Sequence, residues 1–455
     1  MAGIIIHKAP GGSSRKTGTL DFHAKQVPPF WFPAILTAML PSISQKPRIS
    51  EWLPLATVFA TVYFFSMNGL GALPSLAINF LLKDRIGLTP AQLSYFQAVT
   101  LIAWIVKPLW GMISDLCPIL GSRRRSYLVL TSLFAAVSWL VLSVAPSYTA
   151  GLLLTVMTLI TLAYAFQDVV SDGLMVESGQ RLDMTGQFQS IQWTAVYIAM
   201  IITSFAGGII ADLAKAGSLS YRLIFAGTSL FPMLTAVVSA WFVREPAENQ
   251  PERMAGLSLR NIFRRKGIWI LSFFLFLWNF SPSFGAPFFY YAVDTLKFTG
   301  YFLGILQAVA GVGALLGSVL YGFFFARIPL KKFLFAAILL GVAATLSYYI
   351  YFAPGLIAIP GLLKGLALTL NFLLGMASSV IFLALLNLAA KASPRFAGGT
   401  VFALLMSFYN LGQMGSSALG GFLLPLVGLQ PLIAISAAVS LLVLFLLPYL
   451  PVPGD

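Results

Sequence analysis

Across 455 residues the chain is 58% hydrophobic and 9% charged, against roughly a quarter charged in an ordinary soluble domain, so its composition is that of a protein immersed in lipid. Fourteen acidic against twenty-eight basic side chains leave a formal charge of +14, which nucleic acid, an anionic membrane surface or retained cytoplasmic loops would each account for. A single cysteine, Cys117, excludes an internal disulfide, and two histidines, His7 and His23 in the N-terminal tail, exclude a histidine-based metal or catalytic centre within the membrane.

In chain order the basic tail comes first. Its apolar patch from Phe30 to Met39 is too short to cross a bilayer and is flanked by Pro28, Pro29, Pro33 and Pro41. It reads as a segment lying in the interface, and no signal peptide is expected there. A hydrocarbon core of about 30 Å needs about 20 mostly apolar residues per helix. Twelve runs meet that need: 54–82, 91–114, 126–146, 148–176, 187–213 and 222–243, then 268–293, 299–325, 332–352, 362–390, 399–425 and 430–450. The polar stretch from Arg244 to Lys266 divides them six and six. The predicted organisation is a cytoplasmic tail over 1–50, a six-helix bundle over 51–243, a cytoplasmic central loop over 244–267 and a second six-helix bundle over 268–455. The chain is thus expected to be an all-α membrane protein of twelve transmembrane helices in two bundles.

The charges then fall on two sides. One collects the tail, Arg123 to Arg125, Arg181, Arg264 to Lys266, Lys331, Lys332, Lys391 and Arg395, while the other keeps Lys83, Arg85, Lys215, Arg222 and Lys297. Short cytoplasmic loops retain Lys and Arg, so both termini are expected in the cytoplasm, and the positive charge is explained without a nucleic-acid partner. The runs from Gly111 to Leu128 and from Gly317 to Leu334 each lead from glycine through a short loop to a basic cluster and a new helix. Parallel halves of that kind bind a small molecule at their interface and alternate access by rocking.

Within the spans, ionisable residues are expensive and mark function. Lys107 stands before Pro108 in the second, and two readings stand for it: a cation facing a water-filled cavity, or a side chain reaching to the interface. Lys364, in the tenth, reads better as the latter. At the end of the second span Gly111, Asp115, Gly121 and Arg123 to Arg125 form a turn. Gly111 permits close helix approach, Asp115 suits the positive end of a neighbouring helix, and Arg123, Arg124 and Arg125 can bond carboxylates nearby, so together they read as a gating latch rather than a plain basic cluster. The fourth span carries Asp168 and Asp172, four residues apart on one face, and Glu177 roughly 13 Å further along. An ionised aspartate at a helix centre costs about 2.5–3.5 kcal/mol. Asp172 and Glu177 are grouped with the latch, with a structural ion pair as the alternative for both Asp172 and Asp168. Asp168 is read as a proton-coupling or substrate-recognising group. The seventh span is interrupted in the run WNFSPSFGAPFFYY, where a broken helix at Trp278 and Asn279 would expose backbone groups to a cavity and an aromatic face to a flat heterocycle.

The turn follows the general major facilitator pattern, and longer runs narrow the resemblance. WIVKPLWGMISDLCPILGSRRRSYL from Trp104, QDVVSDGLMVE from Gln167, GQFQSIQW from Gly186 with Gln189, Ser190 and Trp193, SPSFGAPFFYY from Ser281, FLGILQAV from Phe302 and GTVFALLMSFYNLG from Gly399 resemble the folate-biopterin transporter family of that superfamily. The resemblance covers most of the chain from Tyr63 to Gly421. It implies the major facilitator fold and proton-linked uptake of folates, pterins or related compounds, with no covalent chemistry and no cofactor. Its site residues map onto Asp115, Arg123, Asp168, Asp172, Glu177, Gln189 and Trp193. The chain departs from the pattern where SPRFAGGT has Ala397 or Gly398 at the place of a glutamate, and where GMASS from Gly375 lacks an aspartate. The second half is left with Asp294 near a membrane end.

The expected protein is therefore a secondary active transporter that moves an organic anion with protons by alternating access, in a bacterial plasma membrane. Its partners are the small-molecule substrate, the proton and the lipid bilayer. The proton-coupling or substrate set is Asp168, Lys107, Gln189, Trp193, Trp278 and Asn279, and no metal is expected. A porter of another solute, such as a peptidoglycan fragment or a drug, and a non-transporting membrane sensor are the alternatives. An enzyme is the least expected class, because no nucleophile, base and orienter recur at usable spacing.

Overall fold

The computed structural model describes residues 47–66, 69–244, 266–325, 328–392 and 398–450. The N-terminal tail with its interfacial segment, most of the central loop and Ala397 lie outside them. Among the described residues, ten helical stretches are long and apolar enough to cross a membrane: Ile49–Arg85, Pro90–Asp115, Arg125–Val144, Ala150–Leu182, Thr185–Lys215, Tyr221–Phe242, Gly300–Tyr321, Leu330–Phe352, Pro360–Ala389 and Leu429–Tyr449. The broken helix Lys266–Asn279 and Gly285–Asp294, and the helix Gly398–Val427, take the seventh and eleventh places, so twelve spans stand in two sets of six.

Threonines set several of the starts. Thr89 accepts from the backbone of Gln92, whose side chain returns the bond, and Pro90 follows at the first helical position, where its missing N–H leaves no bond unmade. Thr149 and Thr299 cap the fourth and eighth spans in the same manner, accepting from Leu152 and Phe302.

Two breaks inside spans are caused by proline. Pro108 has no N–H to offer the carbonyl of Trp104 one turn back, and the second span divides there. The freed oxygen accepts from Asn410 Nδ2 of the eleventh span at 3.1 Å. In the seventh span, helix stops between Asn279 and Gly285 around Pro282. The sequence predicts that this break opens onto a cavity. The structure instead satisfies it with the eleventh span: Ser283 N donates to Ser416 O at 2.9 Å, and Ser416 Oγ donates to Ser281 O at 2.5 Å. Gly420 makes that approach possible, since a Cβ there would fall on the carbonyl oxygen of Ser283.

The apolar packing differs between the two ends of the molecule. At the end bearing the arginine turn, the first six spans have their own core around Phe59, Tyr127, Leu174 and Phe188, and the last six have another around Phe274, Leu334, Leu388 and Leu405. At the far end one core spans both halves, joining Phe80, Leu93 and Tyr164 of the first to Ala286 and Val293 of the second.

Candidate transport site

The fourth span is continuous from Ala150 to Leu182, which carries its polar residues along one helix from mid-depth to the arginine turn. At mid-depth Lys107 Nζ lies 2.6 Å from Asp168 Oδ2, with the two side chains 14% and 16% exposed. The ammonium also stands over the Trp104 ring, 4.6 Å from its centroid, a favourable contact for a cation removed from water. The pair forms because the break at Pro108 begins a new helix on Lys107, facing the fourth span. One turn further along, Asp172 Oδ1 accepts from the Tyr63 hydroxyl at 2.5 Å. Asp172 is therefore placed with Tyr63 and not with the basic turn, where the sequence reading groups it. Gln167, almost fully buried, donates to Ser132 Oγ at 2.5 Å and so fixes the helix face that presents Asp168.

At the turn, Arg124 is 6% exposed. Its Nη2 lies 2.7 Å from Asp115 and 2.6 Å from Glu177, and its Nη1 donates to Ser114 Oγ at 2.9 Å. Burial disfavours its charge, but the hydrogen bonds and fields of Glu177 and Asp115 outweigh that and raise its pKa above the ordinary arginine value. Arg123 is half-buried and Arg125 exposed beside it. Gly111 does not provide the close approach expected of it: a Cβ there would stand 3.6 Å from Val169, an ordinary contact. Gly173 does, because a Cβ would lie 2.8 Å from the Arg124 guanidinium carbon. Gly173→Ala should push the guanidinium off Glu177 at little cost in fold, since the displaced group is the end of a flexible side chain. A double-mutant cycle of Arg124→Ala and Glu177→Ala should give a coupling of about 1 kcal/mol in the parent and near zero in the Gly173→Ala background; equal couplings would show that Gly173 does not seat the arginine.

The remaining predicted residues divide. Trp193 of the fifth span is half-buried and meets Phe382 of the tenth edge-on, ring centroids 5.2 Å apart. Nearby, Tyr197 OH and Ser379 Oγ share a hydrogen bond of 3.1 Å between the halves. Trp278, Phe382 and Tyr409 line a cavity of about 270 Å³ in the second half, with Thr345, Ser378 and Ser440 among its polar groups. Asn279 packs against Gly412, and its Nδ2 is buried with no hydrogen-bond partner among the described residues. Gln189 is exposed, and Lys364 is exposed with its ammonium over the Phe302 ring. The charge pair and the cavity are connected through adjacent residues: Tyr409 lines the cavity, Asn410 holds Trp104, and Trp104 lies under Lys107. Tyr63, Ser114, Gly173 and Asn410 were not singled out by sequence. Of these only Gly173 carried a usable signal, as the glycine inside the acidic run of the fourth span.

Twelve spans in two sets of six are the architecture of the major facilitator class of multi-pass membrane transporters. Solved structures share the fold: a D-xylose-proton symporter, with TM-score 0.66 at 15% identity, covering 88% of this chain and 98% of that one, and the nucleoside transporter NupG, with TM-score 0.64 at 14% identity, covering 88% and 98%. The chain belongs to the BT1 family, whose profile matches residues 68–453. Its relatives include the folate-biopterin transporter of Synechocystis sp., 32% identical over 412 residues that span 89% of this chain and 81% of the relative. Folate transporter 2 of Plasmodium falciparum is 27% identical over 375 residues, 80% and 79% of the two chains.

Proposed function

We propose that this transporter takes up a folate, a pterin or a related organic anion together with protons, by alternating access, across a bacterial plasma membrane with both termini on the cytoplasmic side. The observation that carries this reading is the Lys107–Asp168 pair at mid-depth, beside Trp104 and the contact between the halves. A carboxylate whose charge is held by one lysine responds to whatever neutralises either partner. Protonation of Asp168 releases Lys107 to meet an anionic cargo, and departure of the cargo and the proton returns Lys107 to Asp168, so proton and anion are bound and released together at one place. The aromatic wall of Trp193, Phe382, Tyr409 and Trp278 suits a flat heterocycle. The printed names of the Synechocystis and Plasmodium relatives support the cargo class.

Uptake of labelled folate and of a simple pterin into proteoliposomes under an imposed pH gradient tests the proposal. The parent should accumulate at least one of them only with the gradient, and Asp168→Asn should abolish accumulation while binding to the purified protein persists. Accumulation by Asp168→Asn at the parental rate would remove Asp168 from the coupling step, and failure of both compounds would remove the cargo class.

A further inference from the structure

At the far end, opposite the arginine turn, Asp212 stands in the last turn of the fifth span. An acid there faces the negative end of its own helix dipole, an unfavourable place. What offsets this is the eighth span: Asp212 Oδ1 accepts from Gly300 N and Oδ2 from Tyr301 N, each at 2.7 Å. Those are the first two residues of a helix in the other half, where free N–H groups and the positive dipole end converge. Thr299 already caps Phe302 from within the helix, so Asp212 takes donors that the local cap leaves over.

The seam below the carboxylate is narrow. A Cβ on Gly208 would lie 2.6 Å from Gly300 O and 3.0 Å from Gly304 Cα, and a Cβ on Gly304 would fall on Ser204 O. The same end is crossed by Lys83 Nζ to Asp294 Oδ1 at 2.7 Å and by the Tyr290 hydroxyl donating to Leu88 O. Together with the apolar core shared by both halves there, these contacts close the far end in this conformation.

We propose that Asp212 is the latch of the far end, a positioning residue that holds the fifth and eighth spans together in this state and must release Gly300 and Tyr301 before the substrate pathway opens on that side. It is the counterpart of Asp115: each acid sits in the last turn of its helix, at opposite ends of the first half. The inference concerns the gate and stands apart from what is carried.

Spin-label distances test it without any substrate. In a Cys117→Ala background in lipid nanodiscs, one label pair at Ala216→Cys and Thr295→Cys reads the far end, and a second at Gln180→Cys and Lys332→Cys reads the arginine-turn end; all four sites are exposed or nearly so. Asp212→Asn and, independently, Asp212→Ser should move the far-end pair to longer separations, with the ratio of long to short populations rising about tenfold. The other pair should shorten in step. Distributions unchanged in both variants would overturn the proposal. So would broadening at both ends together, which is what general loosening of the fold produces.

Discussion

Lys107→Met is expected to destabilise the protein by about 3–5 kcal/mol, and Lys107→Met combined with Asp168→Asn by far less. The single substitution leaves a carboxylate 16% exposed with its partner at 2.6 Å gone. The Tyr63 hydroxyl has one proton, and its short bond is to Asp172, so it brings no charge to replace the lysine's beside Asp168. Removing both charges leaves a methionine and an amide of similar shape, and for such replacements the desolvation saved is comparable with the attraction lost. Thermal unfolding in detergent, followed on the purified variants, orders the three proteins. The double variant should melt near the parent and still fail to accumulate substrate under an imposed pH gradient, because stability would be restored without the groups that bind proton and anion together. A double variant as unstable as Lys107→Met would place the energy of this site in the Trp104 and Tyr63 contacts rather than in the charge pair.

The spans were legible because lipid imposes a length and a composition at once; the caps at Thr89, Thr149 and Thr299 are local too, but the apolar runs alone placed those starts. The division of the second span at Pro108 was missed, since 91–114 reads as continuous, while the break in the seventh was legible in its run around Pro282. What the breaks do was not, because the partner of each freed backbone group, Asn410 or Ser416, lies in a span more than a hundred residues away. Lys107 and Asp168 each stood out as a charge in an apolar run, but their pairing across 61 residues depends on how the second span turns after Pro108. Asp172 was grouped with the turn because helical periodicity fixes the face a residue shares, not the neighbour that reaches it. Tyr63 sits in the aromatic run VYFF, where nothing local separates a hydroxyl that binds a carboxylate from one that anchors in the interface. Asp212 resembles any charge at a span end until the eighth helix is laid beside it.

The second large effect expected is steric and lies in the contact between the eighth and tenth spans. A Cβ on Gly375 would fall on the carbonyl oxygen of Ala310, one on Gly313 on that of Phe372, and one on Gly317 on that of Met376. All three obstacles are backbone atoms of an opposing helix, which cannot rotate away as a side chain can, and van der Waals packing is what holds helices together where lipid supplies no hydrophobic drive. The same crowding bears on the missing aspartate of this run, because position 375 itself has no room for any side chain. Gly375→Ala should therefore lower the melting temperature through a strain of about 1–3 kcal/mol, and Gly375→Leu more. Gly341→Ala, where a Cβ would meet nothing within 4 Å, should leave stability unchanged or slightly raised by restricting the unfolded chain. The effect on function should exceed the effect on fold. Ser379 lies one turn beyond Gly375 and holds Tyr197 of the other half, and Phe382, the partner of Trp193, follows on the same helix. A tenth span displaced by the width of a methyl group carries both contacts with it. Uptake by Gly375→Ala should then fall further than its melting temperature predicts, whereas parental melting and uptake together would mean that this seam does not set the position of the aromatic wall.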